Sequence, residues 1–168
     1  MTTAADVTIR RVERGDLHSV VHIERETFDE PWSYTAFERF LGEAGFLVAT
    51  DDGGDVVGYA VSDVTPNHGR DIGHVKDLAV RPDERGHGLG RRLLGRALTS
   101  LAVGGARVVK LEVREGNDVA RSLYRDVGFR PARRVPQYYG DGEDALVLVL
   151  DLAEWQAGRE GRATDRDD

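Results

Sequence analysis

Three glycines punctuate the segment Arg85-Gly86-His87-Gly88-Leu89-Gly90, between a β-branched apolar stretch and a run of helical periodicity. A glycine-rich turn from strand into helix presents unhindered backbone N–H groups at the positive end of a helix dipole, where an anion binds. Glycine also allows close approach to phosphate oxygens and positive φ. Taken alone, the pattern is equally that of a tight turn. A nucleotide P-loop would continue with lysine and a serine or threonine, but Gly90 is followed by Arg91 and Arg92; a dinucleotide turn would space its glycines by two and three, and these fall at two and two.

Proton-transfer chemistry has fewer candidates. Lys110, Glu112 and Arg114 alternate with Val109, Leu111 and Val113, so the charged residues share one strand face. That row is either solvent-facing or the lining of a cleft, since a parallel crossover strand is usually covered on both faces. Tyr124, in a helical run with Leu123 and Val127, reads from the residues alone as an aromatic core residue. The five histidines, His74 and His87 among them, are scattered without ligand spacing, and no metal is assigned. Cysteine is absent, which excludes disulfides, thiolate metal sites and any cysteine acyl-enzyme.

The elements that must position these residues follow from periodicity. Val7–Arg11 reads as a strand, and Asp16 as the N-cap of a helix carrying Leu17, Val20, Val21 and Ile23. After Pro31, Ser33 caps a second helix with Ala36, Phe37, Phe40 and Leu41 on one face and Gly45 beyond it. Phe46–Thr50 and Val56–Val64 form a hairpin, and Ile72–Val80 is a strand stopped by Arg81-Pro82. Leu89, Leu93, Leu94, Ala97, Leu98 and Leu101 mark a helix ended by Gly104-Gly105; Val108–Val113 is a strand; Asn117 caps a helix closed by Gly128. This alternation implies a parallel pair with a crossover. Arg133–Tyr138 and Ala145–Leu152 read as a closing hairpin.

With 168 residues, 40% hydrophobic and 32% charged, the chain fits one soluble domain, expected over residues 5–152, with a polar, disordered tail over 153–168. No apolar run reaches the roughly 20 residues of a membrane helix, and the start has no signal-peptide pattern, so the expected compartment is the cytoplasm. A net charge of −7 without a basic stripe argues against nucleic acid and for a basic substrate.

Leu78-Ala79-Val80 followed by Arg85-x-x-Gly-x-Gly resembles the coenzyme A signature of the GCN5-related N-acetyltransferases (GNAT), and the element order resembles theirs over nearly the whole domain. Leu111-Glu112-Val113-Arg114, Asn117, Leu123-Tyr124, Gly128-Phe129 and Tyr138-Tyr139-x-Asp141-Gly142-Glu143-Asp144-Ala145 narrow the resemblance to the protein N-terminal acetyltransferases of RimI and archaeal type. The resemblance implies an α/β fold: a mixed, mostly antiparallel twisted sheet of about seven strands with a parallel splayed pair, flanked by about four helices. It implies acetyl-CoA as cosubstrate, with N–H groups of Arg85, Gly86, His87, Gly88, Leu89, Gly90 and Arg91 on the pyrophosphate, the main chain of Leu78, Ala79 and Val80 along the pantetheine arm, and Asn117 as a further contact.

The implied reaction is direct transfer to a protein N-terminus, a ribosomal protein among the candidates, with Glu112 as general base and Tyr124 as general acid. An α-amine of pKa about 7.7–8.0 is partly neutral in the cell, so a carboxylate base is adequate. Tyr138 and Tyr139 are expected to hold the incoming peptide, and Glu30 and Trp32 to shape its pocket. Lys76-Asp77 departs from the smaller neutral residues frequent in relatives and leaves the peptide preference open. The alternatives are a small-molecule amine or lysine acceptor, and a non-catalytic coenzyme A-binding module. A partner subunit or weak homodimer is left open.

Overall fold

A computed structural model of the chain describes residues 6–164. The hydrogen-bonded strand order is β1-β2-β3-β4-β5-β7-β6. The strands are β1 (Thr8–Arg11), β2 (Phe46–Thr50), β3 (Val56–Thr65), β4 (Ile72–Val80), β5 (Val108–Arg114), β6 (Arg130–Val135) and β7 (Ala145–Asp151). The helices are α1 (Leu17–Thr27), α2 (Tyr34–Glu38), α3 (Leu89–Val103), α4 (Asp118–Val127) and α5 (Leu152–Thr164), so five stand among the described residues where about four were expected. The chain divides into two compact units, one holding the described residues up to Asp63 with Val75–Leu101, the other Val64–His74 with the described residues from Ala102.

In the first unit β2 is buried along its whole length, because successive side chains enter opposite cores. Phe46 and Val48 join Leu17, Val20, Ile23 and Phe37, from α1 and α2, on one face. Leu47 and Ala49 join Leu89, Leu93 and Ala97 of α3 on the other. Phe37, fully buried, is the kind of side chain whose truncation to alanine costs about 3–5 kcal/mol. Two expectations are corrected in this unit. Asp16 does not cap α1; its carboxylate accepts from the Glu13 N–H at 2.8 Å and pairs with Arg10 at 2.8 Å, capping a short 3-10 turn ahead of the helix. Ser33 does cap α2, but the helix ends at Glu38 and continues as tight turns (Phe40 N–H to Phe37 O, Leu41 N–H to Glu38 O).

In the second unit β4 and β5 run parallel in the register Ile72↔Val108, Gly73↔Val109, His74↔Lys110. β7 lies antiparallel to β5, from Val108↔Asp151 to Arg114↔Ala145, and β6 closes on β7. Arg130–Val135 is earlier than the strand expected at Arg133–Tyr138, which leaves Tyr138 and Tyr139 in the β6–β7 connection. The segment expected as a structureless tail is instead α5 up to Thr164: Asp151 caps it by accepting from the Glu154 N–H at 3.0 Å, and Arg159 stacks on Trp155 at 4.7 Å. A polar helix of this kind has no apolar periodicity for a sequence reading to detect. Residue 5 and residues 165–168, which the expected boundaries include, lie outside the described residues.

Candidate active site

In the first unit, Pro82 ends β4, since it brings no N–H, and Arg81 makes the last donation, to Val57 O at 2.8 Å. A 3-10 turn over Pro82–Glu84 follows, then Gly86 at φ +85° and Gly88 at φ +80°, and α3 begins at Leu89. Only glycine takes both conformations without strain, and a Cβ at either would meet nothing within 4 Å, so the space beside the turn is open. Gly90 is already helical. The first N–H groups of α3 have no partner within the helix, and the exposed Gly86, His87 and Gly88 adjoin them. The Arg85 side chain turns back instead of outward: Nε donates to Val80 O at 2.9 Å and Nη2 to Thr27 Oγ1 at 3.2 Å. It braces the turn. Leu78 and Val80 pack beside Leu89 and Leu93, and Ala79 faces the opposite core.

The same unit carries Glu30 and Trp32. Glu30 is exposed; the Trp32 ring packs tilted on Phe37 at 5.2 Å and stacks on Phe40 at 5.7 Å, and the Trp32 main-chain N–H donates to Glu24 Oε1 at 3.1 Å. Phe40 in turn lies 5.5 Å from the ammonium of Lys76, which pairs with Asp63 at 3.6 Å.

The second unit gathers the residues suited to proton transfer. Glu112 and His74, both largely buried, meet at 2.6 Å, Oε2 to Nε2. The imidazole holds the Glu112 carboxyl below its ordinary range against the opposing effect of burial. The row Lys110, Glu112, Arg114 is half-buried, which favours the cleft-lining reading over the solvent-facing one. Tyr138 and Tyr139 stand edge to face at 4.9 Å. Burial, then the charge of Glu112, raises Tyr138 above its usual value; burial foremost pushes Tyr139 up to about 12, so both remain hydroxyl donors at neutral pH.

Arg114 holds this connection. Its guanidinium lies 4.0 Å over the Tyr139 ring and Nη1 pairs with Asp141 at 2.8 Å and Glu143 at 2.9 Å. On α4, Asn117 Oδ1 caps the helix by accepting from the Ala120 N–H at 3.2 Å, and Tyr124 packs edge to face on Phe129 at 5.8 Å, with its carbonyl accepting from Gly128 and Phe129.

Glu112, Tyr138 and Tyr139 are thus brought together, as are the Leu78–Val80 strand and the glycine turn. His74, which tempts a base or metal reading but stands among scattered histidines in the sequence, gains its place from the parallel register of β4 on β5, which sets it level with Lys110 of the charged row. Arg114 stood in the sequence as a member of that row and of the Leu111–Arg114 match, with no role of its own. Among the described residues no group of three or more His, Asp or Glu could hold a metal ion, and no helix is long and apolar enough to cross a membrane.

A seven-stranded sheet with one parallel pair and a glycine turn opening the helix that follows β4 are the architecture of an acyltransferase. The sequence model of the acetyltransferase (GNAT) family matches residues 17–129, and the chain belongs to that family. It is an N-acetyltransferase. The chain is 40% identical over 155 residues to the N-alpha-acetyltransferase RimI of Mycobacterium tuberculosis, covering 88% of this chain and 94% of the relative. It is 33% identical over 149 residues to the ribosomal protein bS18-alanine N-acetyltransferase of Escherichia coli K12, covering 87% and 98%. The crystal structure of the Escherichia coli ribosomal-protein-S18-alanine N-acetyltransferase superposes with a TM-score of 0.76 at 32% identity, over 87% of this chain and 94% of that one.

Proposed function

We propose that the protein acetylates the N-terminal amine of proteins, a ribosomal protein among them, with acetyl-CoA as donor. The observation that carries this reading is the His74–Glu112 pair beside Tyr138 and Tyr139, a proton acceptor next to two hydroxyls suited to a peptide main chain. The names of the relatives at 40% and 33% identity support the choice of an α-amine.

Acetyl-CoA supplies the acyl group as a thioester when bound. The open space at Gly86 and Gly88 fits a phosphate held by main-chain N–H groups from Arg85 to Arg91, and Leu78–Val80 would run along the pantetheine arm. Asn117 would add a contact through the part of its amide that the helix cap does not use. The incoming amine must lose a proton as its C–N bond forms and the C–S bond breaks. A carboxylate held below its ordinary range is a weak base alone; the imidazole in contact with it gives the pair a second acceptor. Tyr124 would return a proton to the departing sulfur. Tyr138, Tyr139 and the Glu30–Trp32 loop would bind the peptide.

The test is acetylation of a panel of short peptides differing in their first residue, alongside N-terminally blocked lysine peptides and small polyamines. Turnover confined to free N-termini is expected; a preference for polyamines or blocked peptides overturns the reading.

A further inference from the structure

The loop carrying Glu30, Pro31 and Trp32 is tied to the sheet by buried polar groups that the proposed reaction does not use. Glu24 of α1 is 2% exposed. Its Oε1 accepts from the Trp32 N–H at 3.1 Å, and its Oε2 accepts from the Tyr59 hydroxyl of β3. That hydroxyl also lies 3.4 Å from Asp77 Oδ2, and Asp77 Oδ1 accepts from the Leu78 N–H at 2.9 Å. Two carboxyls buried together do not both ionise. Burial, then the bond to Glu24, raises Asp77 well above its ordinary range. The Tyr59 hydroxyl, raised by burial and by both carboxyls, remains a donor.

A buried polar cluster is weak evidence for stability, since apolar residues of similar volume often do as well there. Its directional bonds are what an apolar core lacks. Packing of the Trp32 ring against Phe37 and Phe40 secures the ring, whereas a bond to the Glu24 carboxyl oxygen fixes where the main chain of the loop runs.

We infer that Glu24 is a positioning residue for the acceptor: it holds the main chain of the Glu30–Trp32 loop through the Trp32 N–H, and is itself held by Tyr59 and Asp77 at the residue preceding Leu78-Ala79-Val80. The inference rests on the reading of that loop as part of the acceptor site.

Trp32 and Trp155 are the two tryptophans, so Trp155→Phe leaves Trp32 as sole reporter of the loop, independent of turnover. In that background Glu24→Ala is expected to raise acrylamide quenching of Trp32 about threefold, while Glu24→Gln, which keeps an oxygen for the Trp32 N–H, stays within about 1.5-fold. Kinetically, Glu24→Ala raises the peptide KM about tenfold and the acetyl-CoA KM less than about twofold, and Glu24→Gln restores most of the loss. Should Glu24→Ala not fold, Tyr59→Phe removes one donor to Glu24, keeps the packed ring, and is expected to shift quenching and peptide KM the same way by less. Unchanged quenching in a folded variant, or equal rises in both KM values, overturns the inference. Absence of peptide turnover by the wild-type protein instead overturns the acceptor reading, and the quenching comparison still decides the tether.

Discussion

The Nε2 of His74 and the Oε2 of Glu112 lie 2.6 Å apart on adjacent parallel strands. His74 is level with Lys110, so Glu112, two residues on, presents its carboxylate from the same strand face. The contact explains why a half-buried acid is held below its ordinary range when burial alone would raise it.

Glu112→Gln is expected to lower kcat/KM by about 10²–10⁴, the usual contribution of a general base, with the largest deficit at low pH where free amine is scarce. His74→Ala is expected to cost less, and the double variant about as much as Glu112→Gln, because the two act as one acceptor. Steady-state rates across pH 6–9 check this. The pair also carries a stability signature. A carboxyl lowered in the folded state stabilises above its unfolded value and loses that contribution as pH falls through the folded one. Melting curves should therefore show the wild type losing more than Glu112→Gln below about pH 4.3.

Tyr124→Phe preserves the edge-to-face packing on Phe129, so its melting temperature should hold while kcat falls about 10²-fold or more. Full rate in this variant would remove Tyr124 from the chemistry.

Gly88→Ala tests the turn. The added methyl has room, so its cost is that of placing alanine at φ +80°, about 1–2 kcal/mol, read as a drop in melting temperature of about 2–8 °C. The acetyl-CoA KM should rise as the turn rearranges, with the peptide KM little changed.

Much of this is legible in the amino-acid sequence. The glycine turn, the Asn117 cap and the Gly128 stop are local: each depends on neighbours within one turn of chain, and the residues name themselves. The alternating row on β5 was equally plain. What stayed hidden depends on register or burial between distant segments. His74 meets Glu112 because β4 and β5 pair in one register, and Glu24 turns inward to Tyr59 and Asp77 although an acid in an amphipathic helix reads as its wet face. Helix α5 escaped notice because its cap is a single aspartate and its only large apolar residues are Leu152 and Trp155, too few for a helical period.

Asp77→Asn should separate the buried proton from the rest of the molecule. A carboxyl raised in the folded state binds a proton that the unfolded chain has released, so its contribution to stability declines as pH rises above the unfolded value of about 3.9. Asparagine keeps the shape and has no such titration. The stability of the variant relative to wild type should therefore grow as pH rises from about 4 towards neutrality. Denaturant titrations at several pH values measure it, and parallel curves for the two proteins would show that Asp77 is ionised in the folded state.

Arg114 should prove the chief organiser of the β6–β7 connection. Its guanidinium stacks on Tyr139 and bonds Asp141 and Glu143; Glu143 in turn accepts from the Gly116 N–H at 2.9 Å, and Asp141 from the Glu143 N–H at 3.0 Å. Removing the cation leaves two acids facing each other and one face of the Tyr139 ring uncovered. Arg114→Ala is expected to cost about 1–3 kcal/mol in stability and to raise the peptide KM about tenfold, with the acetyl-CoA KM unchanged. Arg114→Lys keeps the charge but loses the planar group that stacks and bonds at once, so it should recover stability more than peptide affinity. A lysine variant with wild-type peptide KM would show that charge alone orders the loop, and a rise in both KM values would place Arg114 in the general stability of β5 instead.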